Sequence, residues 1–394
     1  MTRSSDRTRR PLAAIISAGC LVGITAASTA APAPAATAPR ASKAAACGWK
    51  VVAAPSPGIG SVTLRGIDAI TRSDIWAVGA RGAQGATLAQ HWNGHGWAVV
   101  KTPNRSKYTQ LEDVTAISHK NVWAVGWFVP KGGKHPKSLI EHWNGDHWSV
   151  VPSPNPLKGN NVLFGVDGKS AKAVYAVGTN NLGPSAGSRQ ITLKLGSGKW
   201  RALPVPSGSS TVDDVATLSV GQAVAVGHAG PTGSSAALVE QFDGSDWVGL
   251  PVATTTNSGH LYGVSAPSAG GQWAVGSSSG AAALQTLTVQ KTATGWEELA
   301  SPNTSTTLIN VLTGVVGLSE SEAWAVGYHE DSTFYTRTLV EHFSSGAWSI
   351  VASPNVGAGH NQLLDITAAN GDLWAVGYST RPTGTKVLIE SRRC

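Results

Sequence analysis

Charge is scarce in this chain: only 13% of its residues are Asp, Glu, Lys or Arg. Cysteine and methionine are scarcer still, three and one among 394 residues. No C-x-x-C, H-E-x-x-H or EF-hand spacing occurs, so no local motif supports a metal site, and none is expected. G-x-S-x-G and the aspartate-box phrase of sialidases are also missing. Nothing calls for a cofactor. Helical periodicity is absent, and past the N-terminus no segment stays apolar for the ~20 residues of a membrane span. The net charge of +7 is misleading: six of the 30 basic residues (Arg3, Arg7, Arg9, Arg10, Arg40, Lys43) and one of the 23 acidic ones (Asp6) precede Cys47, leaving +2 beyond it. Nucleic acid is therefore excluded as an expected partner.

Residues 1–30 read as an export signal. Four arginines precede an apolar run from Leu12 to Ala30, and residues 31–46, rich in Ala and Pro, form a linker or cleavage region. Ala33, Ala35, Ala38 and Ala46 are all small-residue cleavage options. Arg9-Arg10 gives a partial twin-arginine pattern, while Ser17, three residues before Cys20, argues against lipid anchoring. The expectation is a secreted, monomeric protein in an oxidising, extracellular setting, where paired cysteines form disulfides.

What the chain has is repetition. WAVG begins at Trp76, Trp123, Trp273, Trp324 and Trp374, with YAVG at Tyr175 and VAVG at Val224. These starts are 47, 52, 49, 49, 51 and 50 residues apart. Before each lies a strand-like phrase (LRGIDAI, LEDVTAIS, LLDITA). After each come a variable stretch, a phrase such as LIEHWNG, and a tryptophan. Each unit reads as four short antiparallel strands, A to D. Asn93-Gly94 and Asn144-Gly145 predict tight type I′ turns between C and D. Seven such units give an all-β, seven-bladed β-propeller over 47–394. In WAVG, Trp and Val share one face, Ala and Gly the other. Trp of one blade is thus expected on the small-residue face of the next, making 14 of the 15 tryptophans core.

The seventh unit stops before strand D, and a spare D-like phrase, Gly48-Trp49-Lys50-Val51-Val52, stands at the start of the folded part. Laid on LIEHWNGDHWSVV of unit two, Glu390 matches Glu141 and Trp49 matches Trp148, with no gap. The N-terminal strand is therefore expected to complete the last blade, with a Cys47–Cys394 disulfide at that turn.

In a propeller the D–A connections and B–C loops share one face, here called the top. The B–C loops vary freely (VPKGGKHPK, HEDSTFYTR, STRPTGTK), as binding loops do on a rigid scaffold. Aromatics and histidines outside the repeat also map there. Trp127, Tyr328, Tyr378 and His228 directly follow the WAVG-type phrase. Tyr262 and Phe164 open strand A, Tyr108 precedes it, and His260 lies two residues before Tyr262. Trp127, Tyr262, Tyr328, Tyr378, His228, His260 and Tyr108 are the candidate ligand contacts, with Trp127, Tyr328 and Tyr378 on one arc broken only by Ala80. Such rings suit an extracellular glycan or protein. The alternative is channel plugging and loop packing. Catalytic residues stay unassigned. His260 and Tyr262 fit the base and acid of a polysaccharide lyase; Glu112, Asp113, Asp213, Asp214, Glu330 and Asp331 are carboxyls a glycoside hydrolase could use.

The WAVG and LIEHWNG…WSVVPSPN phrases resemble those of secreted repeat proteins of high-GC Gram-positive bacteria, predicted to be propellers. The resemblance spans Cys47 to Cys394 and implies a fold, not an activity. Units three and four depart most, with Tyr175 and Val224 in place of Trp and the degenerate ITLKLGSGKW. The WD, kelch and quinoprotein signatures are absent.

Overall fold

A computed structural model describes residues 47–181, 187–208, 210–230, 235–256 and 258–394. The expected signal and linker lie outside the described residues, as do parts of the B–C loops of blades three and four. Among the described residues there is no helix, only strands in seven antiparallel blades ordered A-B-C-D. Blade two shows the pattern: Thr109–Ser118, Asn121–Phe128, Lys137–Trp143 and Trp148–Val151. Blade five adds a fifth strand, Val252–Ala253, parallel to its outer edge. Blade seven takes its outer strand from the N-terminal end: Lys50 pairs with Ser391 and Val51 with Glu390. That is the register expected from Val150 and Glu141 in blade two. The Cys47–Cys394 disulfide closes the seam, with Cα atoms 5.4 Å apart.

The blades are joined by seven apolar clusters, and the WAVG alternation builds each. Trp374 and Val376 of blade seven pack on Ile75 and Ala77 of blade one. Trp76 and Val78 pack likewise on Val122 and Ala124 of blade two. Each strand-B tryptophan also meets the strand-D tryptophan of the next blade edge-on, Trp76 against Trp148 at 5.4 Å and Trp324 against Trp49 at 6.1 Å. Trp76, Trp123 and Trp324 are further stacked by His91, His142 and His342, which gives those histidines a packing role. Thirteen of the 14 repeat tryptophans are buried; Trp143 is partly covered.

The glycine of WAVG has its own reason. Strand A carries a β-bulge in every blade, at Leu111/Asp113 in blade two, and the bulge presses the preceding carbonyl onto the paired glycine. A Cβ on Gly126 would lie 2.1 Å from the Gln110 carbonyl oxygen. Glycine therefore permits the bulge, and the bulge turns one extra residue per blade toward the axis.

Strand-A side chains also bind the blades together around the channel. Asp113 Oδ2 accepts the Val166 amide of blade three at 2.7 Å, and Asp365 accepts the Ile67 amide of blade one at 2.8 Å. Asp68, Asp167 and Asp214 do the same for Ala116, Thr217 and Val264. Ser265 and Thr313 serve the remaining junctions, with Gly317 and Leu363. Burial pushes Asp68 and Asp365 up to about 7 and Asp214 to about 8.

One local expectation fails. The Asn93-Gly94 hairpin forms, but its loop is four residues long, Asn93 to Gly96, and only the glycine has positive φ. The Asn93 side chain accepts the amides of His95 and Gly96 instead. An Asx turn thus replaces type I′. Two-residue turns with positive φ at both positions occur at Ser197-Gly198 and Ser345-Gly346.

Candidate functional site

The seven bulged residues are Arg65, Glu112, Phe164, Asp213, Tyr262, Thr313 and Leu364. All seven line a small cavity of ≈ 90 Å³ at the top of the channel, above Asp113, Asp214 and Asp365. No two are alike. Just outside them stand the residues that follow the WAVG-type phrase: Ala80, Trp127, Thr179, His228, Ser277, Tyr328 and Tyr378. Strand pairing puts these at one level, opposite Thr63, Gln110, Val162, Thr211, His260, Val311 and Gln362. Trp127, Tyr328 and Tyr378 therefore do share a level, although strand B continues past them to Phe128, Glu330 and Arg381.

These rings are half-buried and partly engaged. The Trp127 indole N–H donates to Glu112 Oε1 at 2.8 Å, and Gln110 donates to the same oxygen at 2.6 Å. Arg65 approaches Glu112 Oε2 at 3.5 Å. Burial raises the Glu112 pKa; Arg65 and these hydrogen bonds oppose it. Burial also raises the Tyr328 pKa, with Tyr262, Tyr378 and Glu330 adding to the effect. Tyr108 stands apart and exposed, with φ 62°, in a groove of ≈ 260 Å³ between blades one and two that Trp127, Arg65 and Arg81 also line.

Between blades four and five, His260 packs on Tyr262 with ring centroids 4.1 Å apart, and on His228 at the same distance. Its Nε2 lies 2.8 Å from Asp213 Oδ2 and 3.1 Å from His228 Nδ1. Burial lowers the His228 pKa, and the neighbouring His260 adds to this, which favours neutral imidazole. Ligand-capable atoms of Asp213, His228 and His260 all lie within 4.8 Å of one another. The expectation of no metal site rested on spacing along the chain, whereas these three come from strand A and strand B of blade four and strand A of blade five. The sequence signal for Asp213 was available only as the variable residue of the L-x-G/D phrase.

Several other expectations also resolve. Asp113 and Asp214, offered as hydrolase carboxyls, are inter-blade struts. Asp331 is held by Thr333 and Arg337 within its own loop. A cavity of ≈ 520 Å³, larger than the one at the top mouth, forms the lower mouth of the channel. It is lined by the strut aspartates and by small apolar residues, and its lysine, Lys169, donates to the Ala266 carbonyl.

No family model matches the chain, and no curated protein matches its sequence. Solved structures do match its fold. A structure described as YCF48 bound to D1 peptide is 15% identical, covering 88% of this chain and 95% of that one, with a TM-score of 0.57. A polysaccharide lyase described as a PL25 ulvan lyase is 7% identical over 85% and 95% of the two chains, TM-score 0.55. The GH74 xyloglucanase of Xanthomonas campestris is 12% identical over 86% of this chain and 55% of its own, TM-score 0.53. At these identities the likeness establishes the propeller fold, and one fold hosts a peptide binder and two carbohydrate-active enzymes.

Proposed function

We propose that the protein is a secreted propeller of the WAVG-repeat kind that binds an extended extracellular glycan through its top face, without catalysis. One observation carries the reading. Within a single chain the frame residues repeat from blade to blade, while the seven bulged positions at the top mouth carry seven different side chains. Packing alone would be served by one residue type used seven times, as it is at the glycine of WAVG and at the strand-D tryptophan. Around that mouth, Trp127, Tyr262, Tyr328 and Tyr378 offer half-exposed faces with polar tips, which suit sugar rings. A protein segment is the other ligand such a surface takes. A glycan-array screen of the processed chain tests the reading, with mass spectrometry of the bound glycans. The expected outcome is binding with glycan masses unchanged, weakened by Trp127→Ala and Tyr378→Ala at unaltered melting temperature. If these variants lose stability and keep affinity, the rings are packing and the assignment fails. Cleaved glycan would favour the second reading, a lyase or hydrolase, for which the contact of His260 with Tyr262 beside Asp213 is the supporting observation.

A further inference from the structure

We propose that Asp213, His228 and His260 form a zinc site at the top mouth, open to one further ligand. The inference stands whether or not the top face binds a glycan. It starts from proton accounting at His260 Nε2. That nitrogen carries at most one hydrogen, yet it faces two partners, Asp213 Oδ2 at 2.8 Å and His228 Nδ1 at 3.1 Å. If its N–H donates to the carboxylate, His228 Nδ1 is left beside an N–H already in use. If it accepts from His228, its lone pair meets the carboxylate oxygen. Only a shared three-centre N–H would serve both contacts, and each more weakly than a donor of its own.

Another pair of histidines shows what a satisfied cluster looks like. On the lower side of the ring, His91 and His119 both meet Asp74, but each has its own carboxylate oxygen, Oδ1 for His91 and Oδ2 for His119. Two N–H donors and two acceptors close that account. At the top, three acceptor-capable atoms point at one region instead.

A single cation resolves the conflict. Zinc holds imidazole nitrogens and carboxylate oxygens at about 2.0–2.1 Å, so its tetrahedral ligands stand roughly 3.3 Å apart. The two short separations, 2.8 and 3.1 Å, need to open by up to about half an ångström, and the third, Asp213 to His228, lies within 4.8 Å and settles toward the same value as the side chains turn onto the ion. Two imidazoles and one carboxylate are a donor set that zinc takes with a fourth position left open. The side chains of Asp213 and His260 are 20% and 24% exposed, so that position faces solvent and the channel mouth rather than the core. The three ligands come from rigid strands, and Asp213 is aimed by the strand-A bulge. The ligand class for the open position is a carboxylate, hydroxyl or water.

The experiment uses the processed chain, stripped with chelator, dialysed and titrated with zinc alone against a chromogenic competitor. One zinc per chain is expected, with a higher melting temperature. Crystals soaked in zinc should give an anomalous peak between the three side chains. Asp213→Asn and His228→Gln keep size and are expected to fold; each should weaken binding by more than about 100-fold, beyond the roughly 10–100-fold that loss of an outer hydrogen bond to a metal ligand costs. His119→Ala should leave binding unchanged. The proposal is overturned if wild-type protein takes up no stoichiometric zinc. It is equally overturned if the anomalous peak lies elsewhere, or if His119→Ala abolishes binding while the top-mouth variants keep it.

Discussion

Replacing Glu141 with Gln should stabilise the protein, and only above mildly acid pH. Glu141 lies in strand C of blade two, fully buried, and neither carboxyl oxygen has a hydrogen-bond partner. Burial pushes its pKa from 4.5 to about 8, so at pH 7 the folded chain holds it protonated. The unfolded chain does not. At about 1.4 kcal/mol per pH unit above the ordinary value, keeping that proton at pH 7 costs about 3 kcal/mol. The sign follows from a raised folded-state pKa: Glu141 is harmless to stability below pH 4.5, and its penalty grows until pH passes about 8. Blade one already shows the substitution. Gln90 occupies the same repeat position, and its Nε2 donates to the Pro55 carbonyl at 2.8 Å. Pro103 is the matching residue for blade two, since Thr-Pro-Asn follows Trp97 where Ala-Pro-Ser follows Trp49. Glu141→Gln should therefore equal the parent near pH 4.5 and exceed it by about 3 kcal/mol at pH 7 and about 4–5 kcal/mol near pH 8. Denaturant unfolding of both proteins from pH 4 to 8 measures the gap. A gap that does not widen with pH refutes the reasoning, because only a titrating penalty produces that shape.

Four further outcomes follow from the same geometry. Cys394→Ser should lower stability by up to about 5–6 kcal/mol in the chain-entropy view of so long a loop, and unreduced, denatured parent should show no thiol from Cys47 or Cys394. Gly126→Ala should destabilise by roughly 3 kcal/mol or more, since its Cβ meets the Gln110 carbonyl at the bulge, and a normal melting temperature would exclude that strain. Asp365→Asn removes an acceptor at the junction of blades seven and one and should cost about 1–3 kcal/mol by denaturant unfolding. Deleting residues 47–53 removes Trp49 from its contact with Trp324 and the paired strand with it, so a drop of only a few degrees in melting temperature would contradict the seam.

The frame was legible because it repeats. WAVG, LIEHWNG and the closing tryptophan report packing that recurs in each blade, and the unmatched D-like phrase at Trp49 located the seam. The top mouth was legible only in part. Trp127, Tyr328 and Tyr378 stood out as aromatics in excess of the pattern. Arg65, Thr313 and Leu364 did not, because nothing in a linear reading marks a bulge, and the bulge is what gathers them. The pairing of His228 with Asp213 and His260 was hidden for a related reason: His260 reaches them from the next blade, and separations of 32 and 47 residues along the chain carry no metal motif. The strut role of Asp113 and Asp214 was not legible, because a carboxylate that accepts a neighbour's amide looks, in sequence, like one that awaits a substrate.

The seam has a consequence for how the molecule comes into being. Lys50 is made early and waits for Ser391, its partner across the sheet. Until then Trp49 has no blade to complete, and blade one has no Trp374 to lean on. A chain released short of its last strand is left as an open crescent with two bare apolar flanks and an unpaired thiol at Cys47. Only a chain carried through to its final cysteine can lock. The closing bond thus records that all seven blades have assembled, and it forms where thiols can be oxidised.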